Sequence, residues 1–365
     1  MKKRVSIITW LGNTTLNYGS ALQATAMQEL LRKEDCYPTT IDFMYLGKTK
    51  KEIASVLFEN GIQYTKTYFK FQQWYKKYMK LSPVCYYDDD IVEYAKNNSD
   101  ILLCGSDCIW GGTYTSSPKF FWDYEELGKI PHVAYAAGRD KDGIIYDMKG
   151  VKEKFTAISV REQDSVEKLR NKHVDAVRVL DPTLAVDESF WTSKIISDEK
   201  QEKYILCYIL SKVEYQKDII NEIKKKNNIK KVVYIKTDFI DKMCNEIYSD
   251  YSGEEYKSIV GPREFLTLFR NAAAVCTDSY HGVCFSVVFR KDFYILNPSR
   301  KTGIIKDYRF ESIQECLNIS KRYVNCISDI ASLDKIDWNE VEKHLSYERQ
   351  KSRCFLHNAM EKIRG

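Results

Sequence analysis

The segment from 272 to 297 constrains the fold of this chain more than any other. Its pattern predicts an apolar strand at 272–276, a polar Thr-Asp-Ser turn, an apolar helix at 282–289 and a second apolar strand at 293–297. Strand, helix and strand in this order are typical of a parallel sheet. His281 would stand at a helix N-terminus, where unpaired backbone N–H groups and the helix dipole favour an anion. A histidine in that position can bind an anion or transfer a proton to it.

The bulk composition indicates a soluble globular protein. A chain of 365 residues is long enough for two domains. Its charged fraction of 29% and hydrophobic fraction of 44% are close to average, which argues against disorder. The net charge of +5 suits an anionic substrate or membrane face but is too small to indicate a nucleic-acid binder. No apolar run approaches the roughly 20 residues of a membrane-spanning helix, so we expect a cytoplasmic protein.

The cysteines and the N-terminal sequence agree with that compartment. Most of the eleven cysteines lie inside apolar runs and no CxxC pair exists, which is typical of buried, reduced thiols. The apolar run after the first basic residues is too short for a signal peptide and soon turns polar. We therefore predict that it forms the first strand.

Predicted strands and helices alternate along most of the chain. A strand at 5–10 leads through a polar loop to an amphipathic helix at 21–33, and the loop lacks the GxGxxG pattern of dinucleotide-binding proteins. The pattern predicts an α/β fold of two Rossmann-like domains that face one another across a cleft, with a C-terminal helix. The predicted limits are 1–185 for the N-terminal domain, 186–202 for a linker, 203–335 for the C-terminal domain and 336–365 for the helix.

A basic segment between residues 51 and 87 carries an aromatic stripe. Aromatic side chains recur at spacings of four and three residues, and lysines occupy the other positions. Such a stripe is typical of a helix that packs onto a core, but it also suits a membrane surface or a glycan. Nucleic acid is a third interpretation, which the low net charge disfavours. The stripe consists of Tyr64, Tyr68, Phe71, Tyr75 and Tyr78.

Polar and glycine residues follow several predicted strands, at the sheet edge where open α/β sheets bind ligands. These residues include anion-binding side chains and a histidine. Asp and His do not recur at the spacing of metal ligands, and no GxSxG motif is present, so we expect neither a metal site nor a serine hydrolase. The candidates are Asn17, Tyr18, Gly19, Gly105, Ser106, Asp107 and Arg161 in the first domain, and Lys236, Ser279, Tyr280, His281 and Gly282 in the second.

Three of these residues also have a purely structural interpretation. Arg161 could pair with Glu162 or Asp164, although an arginine at the start of a helix is favourable only beside an anion. His281 could be a buried structural histidine, and Asp107 could simply cap the turn that follows it. The residues themselves leave these alternatives open.

Five blocks of sequence occur in a specific order and spacing. They are NYGSALQATAMQ at 17–28, CGSDCIW at 104–110, SVREQDSVEKL at 159–169, VLDPTL at 179–184, and GPREFLTLFRNA with TDSYHGVCFSVVF within 261–289. Together they resemble the polysaccharide pyruvyl transferase family, and the resemblance spans about residues 5–297. It implies a fold similar to that of the two-domain GT-B glycosyltransferases. It also implies transfer of the enolpyruvyl group of phosphoenolpyruvate to a sugar, commonly as a cyclic ketal across two hydroxyls.

The resemblance makes His281 the catalytic histidine near the donor phosphate, acting as general acid, and Arg161 a donor-binding arginine. Asp107 would take the proton of the attacking sugar hydroxyl. Many members have an arginine where this chain, which follows a Ser-x-His-Gly pattern, has Ser279. The missing positive charge would come from another basic side chain: Lys236, Arg263 or Arg300.

The remaining site residues are assigned in the same way. The C-terminal domain would be the donor side, and the N-terminal domain the acceptor side. Phosphoenolpyruvate is a co-substrate, and no other cofactor or metal is expected. The donor-binding set is Arg161, Ser279, Tyr280, Gly282, Lys236 and Arg263, and the acceptor-binding set is Asn17, Tyr18, Gly19, Gly105, Ser106 and Trp110.

The sequence thus predicts a cytoplasmic bacterial pyruvyl transferase that acts on a precursor of a surface polysaccharide such as a capsule or exopolysaccharide. Its partners would be phosphoenolpyruvate and a sugar or lipid-linked oligosaccharide, with no nucleic acid. Peripheral association with the inner face of the membrane stays open. Two other functions fit the sequence: a GT-B glycosyltransferase with a nucleotide-sugar donor, and a non-catalytic relative that binds a glycan or a membrane.

Overall fold

The computed structural model describes residues 2–12, 15–44, 50–111, 118–139, 152–195, 202–210, 216–235, 255–296 and 307–364. The chain divides into two compact units, each assembled from segments that are distant in sequence. Unit 1 comprises Met1–Val56, Gln72–Val186 and Leu345–Gly365, and unit 2 comprises Leu57–Phe71 and Asp187–His344. The division after residue 186 falls at the start of the predicted linker. The C-terminal helix, which the sequence suggests as a separate element, contributes residues to both units.

Unit 1 is built on a parallel sheet of seven strands. The strands are β1 (Lys3–Ile8), β2 (Cys36–Phe43), β3 (Leu81–Cys85), β4 (Ile101–Cys104), β5 (His132–Ala137), β6 (Phe155–Val160) and β7 (Val177–Arg178). Their order across the sheet is β3-β2-β1-β4-β5-β6-β7, so β2 and β3 lie on one side of β1, the later strands lie on the other side, and the strand order reverses between β1 and β4. The helices of this unit are α1 (Tyr18–Lys33), α3 (Asp88–Asn98), α4 (Gln163–Arg170) and α5 (Pro182–Ala185), and α2 (Lys50–Tyr78) contributes residues to both units.

Unit 2 repeats this plan with a parallel sheet of six strands. The strands are β8 (Tyr204–Tyr208), β9 (Lys231–Ile235), β10 (Glu255–Lys257), β11 (Ala274–Thr277), β12 (Asp292–Leu296) and β13 (Tyr323–Val324). Their order is β10-β9-β8-β11-β12-β13, and the reversal lies between β8 and β11. The helices are α6 (Glu188–Thr192), α7 (Gln216–Asn227), α8 (Pro262–Asn271), α9 (Tyr280–Val288), α10 (Tyr308–Cys316), α11 (Ile327–Ser332) and α12 (Trp338–Arg364).

The central strands of both sheets are buried on both faces. Every residue of β4, β5 and β8 is buried, which explains why these strands have continuous apolar sequences instead of an alternating pattern. In unit 1, Ile91 of α3 and Val166 of α4 belong to one core cluster with Leu102 of β4. In unit 2, Ile219 of α7 packs in a second cluster with Val232 of β9. Each unit therefore has a core of its own.

The aromatic stripe of α2 packs against protein. Tyr64, Phe71 and Tyr75 are all buried. The Tyr75 hydroxyl donates a hydrogen bond to the carbonyl oxygen of Leu11 at 2.6 Å. This confirms the first interpretation of the stripe, a helix that packs onto a core. No helix in the described parts of the chain is both long and apolar enough to cross a bilayer.

The second half of α12 fixes the segment that follows β7 in unit 1. Glu348 of α12 forms an ion pair with Arg178 at 2.5 Å. The backbone N–H of Leu180 donates to Ser352 Oγ at 2.9 Å, and Arg349 Nε donates to the carbonyl oxygen of Leu184 at 2.9 Å. The end of β7 and helix α5 are thus held by side chains from residues that come about 170 positions later in the chain.

Candidate functional site

The strand ends at the reversal point of unit 1 carry several predicted site residues. β1 ends at Ile8 and β4 at Cys104, and the hydroxyl of Thr9 donates to the carbonyl oxygen of Ser106 at 2.9 Å. Doubly wound sheets bind ligands outside the carboxyl ends of the strands at this point. The turn formed by Gly105, Ser106 and Asp107 therefore lies where the fold places a ligand.

The turn after β4 needs a glycine at its first position. Gly105 has a φ of +122°, and a Cβ there would lie 1.9 Å from the carbonyl oxygen of Tyr135 on β5. The close approach of the two backbones lets the chain turn sharply after the strand. It brings the carbonyl oxygen of Asp107 within 2.9 Å of the N–H of Gly138, which donates to it. The turn is consequently fastened to the end of β5.

The carboxylate of Asp107 is held by two donors. Ser20 Oγ donates to Oδ2 at 2.6 Å, and the N–H of Cys108 donates to Oδ1 at 2.8 Å. Asp107 is partly exposed, whereas Ser20 is buried in the first turn of α1. A partly exposed carboxylate with a fixed orientation can accept a proton from a ligand hydroxyl.

The start of α1 positions Ser20. Asn17 is the N-cap residue, and its side-chain oxygen accepts a hydrogen bond from the N–H of Ser20 at 3.2 Å. Asn17 is exposed, but Tyr18 and Gly19 are buried. Of these three predicted acceptor-binding residues, only Asn17 therefore presents its side chain to solvent.

Ser106 and Arg161 meet at a buried carboxylate that follows β7. Ser106 Oγ donates to Asp181 Oδ2 at 2.8 Å, and Arg161 Nη1 donates to the same oxygen at 3.3 Å. Arg161 Nε also donates to Glu162 Oε1 at 2.8 Å. The second oxygen of Asp181 accepts from the N–H of Thr183 at 2.9 Å, so Asp181 caps α5 as well.

These hydrogen bonds give the side chain of Arg161 a structural role inside the protein. Its side chain is 2% exposed, and its charge is balanced by the carboxylates of Glu162 and Asp181, which are both buried. The ion pair with Glu162 is the one that the structural interpretation of the sequence anticipated. Gly138 packs against the guanidinium, since a Cβ on this glycine would lie 2.7 Å from Nη2. Arg161 thus supports the Gly105–Asp107 turn from inside the protein.

Trp110, predicted to bind the acceptor, belongs to the core of unit 1. Its indole N–H donates to the carbonyl oxygen of Phe120 at 3.1 Å, and its ring stacks on Phe121 with centroids 5.3 Å apart. It is 1% exposed. The sequence could not distinguish an aromatic site residue from an aromatic core residue at this position.

In unit 2, the reversal point carries the histidine segment. β11 ends at Thr277, beside β8, and Ser279 is the N-cap residue of α9. Ser279 Oγ accepts from the N–H of Gly282 at 3.4 Å, and Thr277 Oγ1 accepts from the N–H of Ser279 at 3.0 Å. The Thr277 hydroxyl donates in turn to the carbonyl oxygen of Tyr208 at 2.6 Å. These bonds tie the start of α9 to the ends of both strands.

The helix begins so close to β11 that position 282 must be glycine. A Cβ on Gly282 would lie 2.2 Å from Thr277 Oγ1 and 2.9 Å from Thr277 Cβ.

Burial raises the pKa of Tyr208 above its usual range, and its hydroxyl is hydrogen-bonded to Ser279. The tyrosine therefore stays protonated at neutral pH and keeps its contact with the N-cap residue.

His281 is the second residue of α9. It is 8% exposed, and its ring lies edge to face with that of Tyr280 at a centroid distance of 5.2 Å. The first turn of a helix at a sheet switch point attracts anions, and an imidazole in that turn can donate a proton to one. Ser279, Tyr280, His281 and Gly282 thus form the N-cap and the first turn of α9.

Of the basic residues predicted to supply the missing positive charge, the structure describes Arg263. Arg263 lies on α8, whose N-terminus is capped through the carboxylate of Glu264, and it is partly exposed. Lys236 and Arg300 lie outside the described residues. Among the residues that the structure describes, His, Cys, Asp and Glu side chains form no group of three or more that could hold a metal ion.

Sequence reasoning missed several residues that build these sites. The VLDPTL block contains Asp181, to which the sequence assigned no role. An Asp at a strand end followed by proline is a helix-start signal that could have indicated Asp181. Nothing in the sequence links Ser20 to Asp107, because 87 residues separate them.

Comparison with known proteins agrees with the architecture. Residues 17–300 match the family model for polysaccharide pyruvyl transferase. A search of curated proteins gave no match. A solved UDP-N-acetylglucosamine 2-epimerase superposes with a TM-score of 0.55 and 12% identity over 98% of this chain and 95% of that chain. The S. aureus MnaA–UDP co-structure gives 0.53 and 12% over 95% and 91%.

At such low identity these structures are informative about the fold alone. They confirm the predicted fold class, an α/β protein with two Rossmann-like domains of the GT-B type. The family match covers most of the chain and includes both of the segments described above. On that match, the chain belongs to the polysaccharide pyruvyl transferase family.

Proposed function

We propose that this protein transfers the pyruvyl group of phosphoenolpyruvate to two hydroxyls of a sugar in a bacterial surface polysaccharide precursor, forming a ketal. The observation that carries the proposal is the position of His281, in the first turn of α9 and at the reversal point of a parallel sheet, within a chain of this family. The acceptor is a sugar or lipid-linked oligosaccharide on the cytoplasmic side of the membrane.

Unit 2 is the donor side in this proposal. Phosphoenolpyruvate carries a phosphate and a carboxylate, and the start of α9 offers the positive end of a helix dipole. Ser279, Tyr280 and Gly282 shape that turn, and Thr277 anchors it to β11. Lys236 and Arg263 supply the positive charge that Ser279 does not. No cofactor takes part.

His281 acts as general acid. It protonates the methylene carbon of the enolpyruvyl group, which becomes a methyl group and leaves an oxocarbenium-like centre at the adjacent carbon. The oxygen of a sugar hydroxyl bonds to that centre. The bond to the phosphate oxygen then breaks, which regenerates an oxocarbenium-like centre as inorganic phosphate departs. A second hydroxyl of the sugar bonds to that centre and closes the ketal, and its proton passes to the departing phosphate.

Unit 1 is the acceptor side. Asp107 accepts the proton of the attacking hydroxyl, because its carboxylate is partly exposed and is oriented by Ser20 and Cys108. Asn17 accepts a hydrogen bond from the backbone of Ser20, the residue that anchors Asp107. The side chain of Asn17 is exposed and can contact the sugar. The surface of the acceptor side is shaped by four further residues: Gly105, Ser106, Tyr18 and Gly19.

Arg161 and Trp110 act indirectly in this proposal. The guanidinium of Arg161 is committed to Glu162 and Asp181, and the indole of Trp110 is committed to the core. We therefore assign Arg161 to the positioning of the Gly105–Asp107 turn, and Trp110 to the stability of unit 1.

The test is phosphate release from phosphoenolpyruvate in the presence of galactose, glucose and mannose derivatives, with the product mass measured for a ketal. His281→Asn should lower the rate about 10²- to 10⁴-fold, and Asp107→Asn should do the same. His357→Asn is the matched control, because His357 is exposed on α12 and should leave the rate unchanged. Turnover of a nucleotide sugar without any response to phosphoenolpyruvate would contradict the proposal.

A further inference from the structure

Helix α2 exposes three large apolar side chains to solvent. Phe58 is 88% exposed, Ile62 is 67% exposed and Phe69 is 55% exposed, and all three belong to unit 2. Phe58 is the most exposed large hydrophobic side chain among the residues that the structure describes. The aromatic stripe that the sequence predicts is a different set of residues, of which three are buried and two half-buried. Exposed aromatic and aliphatic side chains concentrated in one short segment mark an interaction surface.

Three exposed side chains lie together on the part of α2 that follows the bend at Gly61, and Phe58 lies just before that bend. Ile62, Lys66 and Phe69 are spaced by four and three residues, so they lie on one side of the helix. The helix bends at Gly61, whose φ is 80°. The hydroxyl of Thr65 lies 3.0 Å from the carbonyl oxygens of both Leu57 and Gly61, which fixes the bend.

The positive charge of the chain is concentrated in and directly after α2. Residues 50–80 contain seven lysines and two glutamates, so their net charge equals the +5 of the whole protein, and the rest of the chain is balanced. Lys66 is exposed, as are Lys76 and Lys77 farther along α2. Lys70 is committed to an ion pair with Glu264. The partner of this helix therefore combines an apolar region with negative charge.

We infer that Phe58, Ile62, Lys66 and Phe69, the outer surface of α2, dock the protein on a bilayer that contains anionic lipids. Apolar side chains of an amphipathic helix enter the boundary between headgroups and acyl chains, while lysines contact the lipid phosphates. A second copy of the chain fits less well, because two lysine-rich helices repel one another. Nucleic acid would leave Phe58 without an apolar environment.

The inference deepens the proposed function and rests on it for its purpose, since docking would bring the enzyme to a lipid-linked acceptor. The docking itself needs neither substrate. It predicts association with vesicles in the absence of phosphoenolpyruvate and sugar, and an association that weakens as salt screens the lysines.

Vesicle flotation tests the inference. Vesicles of phosphatidylcholine with about one-quarter phosphatidylglycerol should carry the full-length protein, and pure phosphatidylcholine should carry much less. Replacing Phe58, Ile62 and Phe69 together by Gln should reduce binding at least about tenfold, and Lys66→Glu should also reduce it. The matched control is Tyr347→Gln with Lys343→Glu, a similarly exposed pair on α12 that should change nothing.

Other outcomes would overturn the inference. They are no flotation with the anionic vesicles, equal flotation of the triple Gln variant, or a dimer in light scattering that the triple variant abolishes. Phosphate release with a soluble sugar acceptor separates this inference from the proposed function. The triple variant should keep that rate, whereas failure of the wild type to release phosphate would count against the proposed function and leave the docking result standing.

Discussion

The hydroxyl of Ser20 donates a hydrogen bond of 2.6 Å to the carboxylate of Asp107, and so joins the first turn of α1 to the turn after β4. Ser20 is buried, whereas Asp107 is partly exposed. The serine therefore orients the carboxylate from within the protein and leaves its outer side available to a ligand. It is a positioning residue for the proposed base.

Removing this hydroxyl should weaken the proposed reaction without abolishing it. Ser20→Ala should lower kcat roughly 10- to 100-fold, because the base is no longer held in one orientation, and should leave the KM for phosphoenolpyruvate unchanged. Ser20→Thr keeps the hydroxyl and should restore most of the rate. Equal rates for the wild type and Ser20→Ala would remove Ser20 from the site.

Gly282 should be sensitive to the smallest substitution. The added methyl group of Gly282→Ala would overlap Thr277, so α9 must shift away from β11, at a cost of about 1–3 kcal/mol in the free energy of unfolding. Activity should fall as well, since His281 moves with the helix. Gly128→Ala is the control, because its Cβ would come no closer than 3.3 Å to the carbonyl oxygen of Glu125. Urea denaturation of both variants checks this, and equal stability would contradict the packing argument.

Substitution of Arg161 distinguishes a structural arginine from a donor-binding one. Arg161→Ala leaves the buried carboxylates of Glu162 and Asp181 without their cation, which should lower the free energy of unfolding by about 3–5 kcal/mol. The exposed pair of Arg290 with Glu342 supplies the control, and Arg290→Ala should cost less than about 1 kcal/mol. A direct donor-binding residue would instead raise the KM for phosphoenolpyruvate with little change in stability.

His132 should make the protein sensitive to acid. Burial lowers the pKa of this histidine, and the carbonyl oxygens of Trp122 and Ile130, at 3.2 and 2.6 Å from its ring nitrogens, offset only part of that effect. The neighbouring charge of Lys154 lowers the pKa further, while that of Asp123 raises it. The folded state therefore favours the neutral ring.

The sign of the pH effect follows from that preference. The stabilisation is fully present above the unfolded pKa of about 6.5 and is lost as the pH falls below it, because the unfolded chain then binds a proton that the folded chain binds less readily. The melting temperature of the wild type should drop more between about pH 7.5 and about pH 5.5 than that of His132→Asn. His357→Asn, at an exposed position, should show the same drop as the wild type.

The sequence was most informative where a local pattern determines the structure. The apolar runs and the turn between 272 and 297 predicted β11, α9 and β12 to within about two residues. The two parallel sheets followed from the alternation of strands and helices. These features depend on residues that are close together in the chain.

Features that depend on distant residues could not be predicted. The pairing of Ser106 and Arg161 with Asp181 requires the strand order of the sheet, which the sequence does not display. Spacing on α2 predicted which aromatic residues share a face, but not that Phe58 and Phe69 would be exposed. A periodic pattern shows what lies on one side of a helix, but not what covers that side.

The discontinuity of the units affects the order in which the protein can fold during synthesis. Every segment of unit 2 has left the ribosome once His344 emerges, whereas unit 1 still lacks Leu345–Gly365. Those residues hold the chain after β7, through the contacts of Arg349 with Leu184 and of Ser352 with Leu180. Domains usually fold from the N-terminus onward as they emerge. Here the unit that begins first is completed last, and a nascent chain stalled shortly before its end would expose an unfinished edge around Arg178.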